Sequence, residues 1–194
     1  MSDPLYSLVE QKTLLQVARE SIQHGLRHGR SLAVDPDNYA PALARPGAAF
    51  VTLEKMGNLR GCIGSILAHR PLVEDVAENA WSAAFKDPRF DPLDQPEFDQ
   101  LHIEISVLTK PEEMQVESDA DLKQQLVPGK DGLIIQDGHH RALFLPAVWD
   151  KLPEVDDFVS HLKQKAGLTR EHWSASLRCE RFYSFEFSEI DVDL

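Results

Sequence analysis

The sequence has only two cysteines in 194 residues, Cys62 and Cys179. Two thiols make no disulfide framework, which favours a reducing, cytoplasmic location. Cys-x-x-Cys and His-Glu-x-x-His are both absent, so the commonest zinc spacings are missing and no metal is expected. The phosphate-binding loop and the dinucleotide-binding Gly-x-Gly-x-x-Gly are absent as well. The sequence therefore predicts no metal and no cofactor.

Basic residues are scarce, with 20 Lys and Arg against 32 Asp and Glu, for a formal net charge of −12. Affinity for nucleic acid depends on neutralising phosphates, so the composition argues against nucleic acid and against an anionic membrane as partners. No apolar run is long enough to span a bilayer, and the N-terminus lacks the regions of a signal peptide. A small local pocket for an anion stays compatible with this charge.

A run of eight residues, Asn-Leu-Arg-Gly-Cys-Ile-Gly-Ser at positions 58–65, follows an apolar strand-like segment, and we call this run the signature. Its glycines, Gly61 and Gly64, allow positive φ or close backbone approach, so amides around Ile63 could face a ligand. Nearby amides and the cation Arg60 would stabilise a thiolate, which predicts a reactive Cys62. The alternative is that Cys62 fills the core while Arg60 pairs at the surface.

The Asp-Pro-Arg-Phe element at positions 87–90 ends a helical pattern, because proline disfavours the helical conformation at the preceding residue. Asp87 can then bond backbone amides, while Arg89 reaches outward with a fork suited to carboxylate or phosphate. An Asp–Arg latch that only fixes the loop is the competing interpretation. Asn79, a polar residue on the apolar stripe of that helix, requires a hydrogen-bond partner, plausibly in the signature run.

Periodicity predicts mixed secondary structure over the chain. Helical spacing covers residues 3–29, 71–86 and 155–166, with Asp3 and Pro4 opening the first helix and Gly167 ending the last. Strand patterns cover 48–55, 59–67, 101–109, 132–136, 141–145 and 179–187, and Thr169 could open a further short helix. Strand pairs joined by tight turns, with helices between them, favour an α+β fold with mainly antiparallel sheets.

The signature and the Asp-Pro-Arg-Phe element together resemble the AMMECR family, whose bacterial and archaeal members are called AmmeMemoRadiSam system protein A. The similarity continues through the segments at 71–80, 83–85, 104–108, 132–135, 145–149 and 165–168. It implies one AMMECR domain over residues 1–194, with helices on antiparallel sheets in two unequal lobes. It also implies a shared pathway with a MEMO-like protein and a radical SAM protein.

The resemblance places an acidic family position at Glu104, which could accept a proton or hold Arg60. His69 and His102 are alternative bases for Cys62, and the His24–His28 pair is interpreted as part of a solvated helix face. We expect the signature, the turn at 87–90 and Glu104 to meet at one concave surface that binds a small molecule or peptide. A non-catalytic adaptor that binds partner proteins is the alternative function.

Overall fold

The computed structural model describes residues 5–193, which form two compact units. Unit 1 comprises residues up to 108 and those from 185 onward, whereas unit 2 comprises residues 109–184. Helices and antiparallel sheets occur in both, which confirms the α+β class.

Unit 1 begins with helix α1 (Leu8–His28), which starts at a capping box between Ser7 and Glu10 and ends at Gly29 with φ of 71°. The start predicted at Asp3 and Pro4 lies outside the described residues, whereas the stop at Gly29 is confirmed. A short 3-10 helix (Pro36–Asn38) and α2 (Pro41–Ala44) occupy the connection between α1 and the first strand. Proline suits the first position of each, because its missing N–H would be unpaired there anyway.

A five-stranded sheet follows. Its strands are β1 (Pro46–Lys55), β2 (Asn58–Gly64), β3 (Arg70–Pro71), β4 (Leu101–Leu108) and β9 (Ser184–Ser188). The order is β2-β1-β4-β9, with β3 also paired to β1. The β1–β2 turn contains Met56 and Gly57, both at positive φ, as two-residue hairpins require. Strand β2 ends at Gly64, three residues before the end of the strand predicted over 59–67.

Helix α3 (Leu72–Phe85) and the short α4 (Gln95–Phe98) complete unit 1. One face of the sheet carries the buried side chains of Ala49, Val51, Ile103 and Ile105, which share a core with α1 and α3. The strand predicted for 101–109 is present as Leu101–Leu108, and every second residue from Leu101 is buried, with Ser106 buried as well. The opposite face carries Thr52, Cys62 and Glu104, with the apolar Phe50 beside them.

Unit 2 contains β5 (Glu112–Glu113), α5 (Asp119–Gln125), β6 (Gly132–Asp137), β7 (His140–Phe144), a 3-10 helix (Pro146–Asp150), α6 (Val155–Lys165) and β8 (Arg178–Phe182). Its sheet has the order β5-β8-β6-β7, and its core packs Phe158, Trp149 and Leu162. Gly167 follows α6 with φ of 80°, as predicted.

Two predictions for this part of the chain are wrong. Residues 169–173 form a turn rather than a helix, because His172 Nε2 lies 2.6 Å from Asp137 Oδ2 and ties the segment to the β6–β7 turn. The final strand predicted over 179–187 is divided at Tyr183, so that β8 belongs to the sheet of unit 2 and β9 to the sheet of unit 1.

Candidate functional site

Cys62, Thr52 and Glu104 form a row across three adjacent strands. Thr52 of β1 lies directly opposite Cys62 of β2 on one side and opposite Glu104 of β4 on the other. Directly opposed residues in antiparallel strands share a face, so the three side chains stand on the polar face of the sheet. The Thr52 hydroxyl donates to Cys62 Sγ at 3.4 Å. From Cys62 to Glu104 the two strand spacings sum to about 10 Å.

The Asp87–Arg89 turn closes the outer edge of β2 beside this row. Asp87 Oδ2 accepts the backbone N–H of Cys62 at 2.9 Å, and Arg89 Nη2 donates to the Cys62 carbonyl at 3.3 Å. Arg89 also holds Asp87 through two of its three guanidinium nitrogens, Nε at 2.9 Å and Nη2 at 2.7 Å. These side chains thus occupy the backbone groups that a further strand would otherwise bind.

The two members of the Asp87–Arg89 pair differ in exposure. The Asp87 side chain is 2% exposed and the Arg89 side chain 52% exposed. The pKa of Asp87 lies well below its usual range, chiefly because Arg89 donates to it, with the Cys62 amide contributing further. Asp87 is therefore a latch, as one of the two interpretations predicted, while Arg89 keeps part of its surface open to solvent.

Arg60 binds a different carboxylate from the one that the sequence suggested. Its Nε and Nη2 donate to the two oxygens of Glu97 at 3.0 and 2.7 Å, and Nη2 also donates to the Asp91 carbonyl at 2.9 Å. The Phe90 ring lies 5.6 Å from the guanidinium carbon. Arg60 lowers the pKa of Glu97 to about 2, with Lys55 adding to the shift. The carboxylate that holds Arg60 is Glu97, so the suggestion that Glu104 holds it is wrong.

The two signature glycines let neighbouring groups approach the backbone closely, and neither has a positive φ. Neither is among the positive-φ glycines of the described residues 5–193, so the proposed positive-φ explanation is wrong for both. A Cβ at Gly61 would lie 2.2 Å from the Ala83 carbonyl oxygen of α3. A Cβ at Gly64 would lie 2.2 Å from the Phe50 ring. Ile63, between them, packs against the core of unit 1.

Asn79 and Asp75 form a buried polar hub at the far end of the signature. The Asn79 amide nitrogen donates to the Ala49 carbonyl, to Ser65 Oγ and to Asp75 Oδ2 at 3.0 to 3.1 Å. Asp75 is fully buried and also accepts from the Ala49 amide and the Ser65 hydroxyl. The predicted link between Asn79 and the signature run is therefore present through Ser65. These hydrogen bonds fix the position of the chain where it leaves β2.

Glu104 lies in an environment that favours its neutral form. Burial raises the pKa of the Glu104 carboxyl, and the nearby carboxylates of Glu186 and Glu54 raise it further. A carboxyl of this kind keeps its proton to higher pH than an exposed one and can exchange it with a bound molecule. The row therefore combines a thiol, a hydroxyl and a carboxyl whose pKa is raised.

Comparison with known proteins decides the family. The AMMECR1 family model matches residues 15–187. The chain belongs to the AMMECR1 family. A protein of Methanothermobacter thermautotrophicus is 40% identical over 186 residues, covering 93% of this chain and 94% of that protein. A protein of Methanopyrus kandleri is 38% identical over 188 residues, covering 93% and 87%.

The fold of this AMMECR1-family chain also matches a solved structure. The crystal structure of an uncharacterised protein from Pyrococcus horikoshii superposes with a TM-score of 0.81 at 31% identity. The match covers 93% of this chain and 91% of the archaeal one. The family and its fold are thus established together, over almost the whole length of each protein.

The structure brings some of the predicted residues together and separates others. Cys62, Asp87 and Arg89 are in direct contact, and Glu104 stands two strands away on the same face. Arg60 instead turns to Glu97. The alternative bases have other neighbours: His69 Nδ1 lies 2.9 Å from the Leu67 carbonyl oxygen, and His102 lies 3.8 Å from Glu189.

Three residues of the candidate site escaped the sequence analysis: Thr52, Asp75 and Glu97. Thr52 had no sequence signal, because counting back from the Met56–Gly57 turn pairs it with Gly61, and only the register shift between Leu53 and Glu54 places it opposite Cys62. Asp75 interrupts the apolar stripe of α3 just as Asn79 does, four residues earlier. Glu97 carries no comparable signal, because its partners Arg60 and Lys55 lie 37 and 42 positions away.

Within residues 5–193, no helix has both the length and the apolar character needed to cross a membrane. The same residues contain no group of three or more His, Cys, Asp and Glu side chains arranged to hold a metal ion. The His24 and His28 rings lie 4.4 Å apart and form a pair only.

Proposed function

We propose that this AMMECR1-family protein is the ligand-binding component of a cytoplasmic system that includes a MEMO-like protein and a radical SAM protein. The system and both partners rest on the family resemblance. The bound molecule would be a small anionic metabolite or a peptide, seated on the polar sheet face beside the signature. Arg89 would contact its anionic group, while Cys62 and Glu104 would face its reacting part.

The observation that carries the proposal is the row of Cys62, Thr52 and Glu104, with Arg89 at its outer end. A gap of about 10 Å separates the thiol strand from the carboxyl strand, which is too far for direct proton transfer. A small molecule lying over Thr52 would bridge it. The Glu104 carboxyl, whose pKa is raised, supports a role as proton donor or acceptor.

One observation favours the adaptor as a second candidate. Both arginines already have a carboxylate of their own, since Arg60 binds Glu97 and Arg89 binds Asp87. No external anion is needed to balance either guanidinium. On this alternative the signature is a packing device, and its partners are proteins that contact the surface elsewhere.

Native mass spectrometry of the intact protein tests the two candidates. The wild type is incubated with the small-molecule fraction of a cell extract, and separately with purified MEMO-like and radical SAM proteins. The Arg89→Lys and Glu104→Gln variants are matched with Glu171→Gln, an exposed glutamate in unit 2. We expect a retained mass adduct that both site variants lose and the control keeps.

Protein complexes without any adduct would instead support the adaptor. An adduct retained equally by all variants would place the ligand away from the row and overturn the proposed site. Failure of both partner proteins to bind would overturn the proposed membership of the system.

A further inference from the structure

Unit 1 contains a cavity of about 270 Å³. It lies between the extended segment at residues 31–34 and the beginning of α3, and its charged lining residues are Arg70, Glu74 and Glu78. Pockets for drug-sized ligands range from about 300 to 1,000 Å³. This cavity therefore suits a smaller metabolite.

Arg70 is fixed at one edge of its guanidinium and free at the other. Its Nε donates to Asp75 Oδ1 at 2.9 Å, and Asp75 is itself fully buried and held by Asn79 and Ser65. In the part of the chain that the structure describes, the hydrogen bonds of this guanidinium are confined to Nε. The Arg70 side chain is 30% exposed, so its terminal nitrogens can receive a carboxylate.

Two carboxylates also line the cavity. Glu74 and Glu78 are one turn apart on α3, so their side chains are neighbours and repel each other when both are ionised. Glu78 accepts the Ser31 hydroxyl at 2.6 Å, whereas Glu74 has no hydrogen-bond partner among residues 5–193. A cation between them would relieve the repulsion.

We infer that this cavity binds a free α-amino acid, with the ligand carboxylate on Arg70 and the ligand ammonium between Glu74 and Glu78. The three side chains line the same small cavity and supply one edge of hydrogen-bond donors and one pair of acceptors. A zwitterion has a carboxylate for the donors and an ammonium group for the acceptors. Leu32 and Val34 add an apolar wall for a side chain. This inference is independent of the function proposed for the signature row.

Isothermal titration calorimetry of the full-length protein with each of the twenty L-amino acids tests the inference. We expect at least one to bind. Analogues that lack one charge should bind at least about tenfold more weakly, because each charge-assisted hydrogen bond contributes on the order of 1.5 kcal/mol or more. For L-alanine these analogues are ethylamine and propionate.

Variants locate the site. Arg70→Lys keeps the positive charge beside Asp75 but loses the forked guanidinium. The double variant Glu74→Gln with Glu78→Gln removes both acceptor charges. These positions are half-buried, so the variant should still fold. Each should weaken binding about tenfold or more, while Glu171→Gln should match the wild type. Binding of none of the twenty amino acids overturns the inference. So does unchanged affinity in these variants, and so does ethylamine binding as tightly as alanine.

Discussion

At the scale of single residues, the two thiols occupy opposite environments. Burial raises the pKa of the Cys179 thiol to about 11, and the side chain is fully buried in unit 2. Cys62 is only partly buried, accepts from the Thr52 hydroxyl and lies beside Arg89. The cation next to Cys62 is therefore Arg89, whereas the sequence suggested Arg60.

We expect iodoacetamide to modify Cys62 of the native protein at least about tenfold faster than Cys179, because the thiolate is the nucleophile and burial suppresses it. Peptide mass spectrometry over a time course measures both sites in one sample, so Cys179 serves as the internal control. Cys62→Ser should abolish the fast reaction. Equal, slow modification of both thiols until denaturant is added would show that Cys62 belongs to the core.

Glu104→Gln should stabilise the protein at neutral pH. The pKa of Glu104 is raised in the fold, so folding favours the protonated form and stability falls as pH rises through the carboxyl's titration. Glutamine removes that loss of stability. Thermal melts should show a higher midpoint than wild type at pH 7 and a smaller difference in acid. A variant less stable than wild type at pH 7 would contradict the raised pKa.

At the scale of elements, the contact between β2 and α3 depends on the missing side chain at Gly61. In Gly61→Ala the new methyl would meet the Ala83 backbone carbonyl at 2.2 Å, which a packed helix can relieve only by shifting. We expect a loss of about 3 kcal/mol in the free energy of unfolding, at the upper end for overpacking. Urea unfolding measures it.

Gly64→Ala provides the matched control for this contact. Its methyl would meet the Phe50 ring, a side chain that can rotate away, so the loss should be smaller, about 1 kcal/mol. Equal losses in the two variants would show that strand conformation, rather than approach to α3, explains the glycines.

Glu97 joins the short helix α4 to the sheet through ion pairs. The pKa of Glu97 is held at about 2, against an ordinary value of 4.5, by Arg60 and then Lys55. A carboxyl with a lowered pKa stabilises the fold above its unfolded pKa and loses that contribution as pH falls from 4.5 toward 2.

Glu97→Gln should therefore cost on the order of 2 kcal/mol at pH 7 and much less at pH 2. Urea unfolding at the two pH values measures the difference, and Glu171→Gln should leave the wild-type pH dependence intact. A cost that is the same at both pH values would mean that shape, not charge, holds Arg60.

At the scale of the whole molecule, the chain leaves unit 1 after β4 and returns to it at β9. The intervening residues 109–184 have their own sheet and core, and their ends are joined, since the Thr109 amide donates to the Tyr183 carbonyl at 2.8 Å. Close termini and a separate core are typical of a unit that folds alone.

We expect residues 109–184, expressed as a fragment, to unfold cooperatively. Circular dichroism should show one thermal transition, at a lower midpoint than the full chain because small domains bury less of their surface. Phe158→Ala within the fragment should lower the midpoint further through loss of core contacts. A fragment without a cooperative transition would support the single domain over 1–194 that the resemblance implies.

The sequence by itself determined the local elements whose signals are short-range. The Gly29 stop of α1, the extent of α3 and the alternation along β4 each follow from residues within a few turns or pleats of one another. The contact between the Asp-Pro-Arg-Phe turn and the signature could also be anticipated, because α3 connects them directly. Those predictions depend on neighbours along the chain.

Only the tertiary structure decided the choices that involve distant partners. Arg60 selects Glu97 over Glu104 because α4 folds beside the signature strand, and no local pattern encodes that choice. The division of the last strand at Tyr183 has the same origin. One continuous alternating run supplies β8, an internal strand of one sheet, and β9, an edge strand of the other, so its two halves take their backbone hydrogen bonds from different sheets.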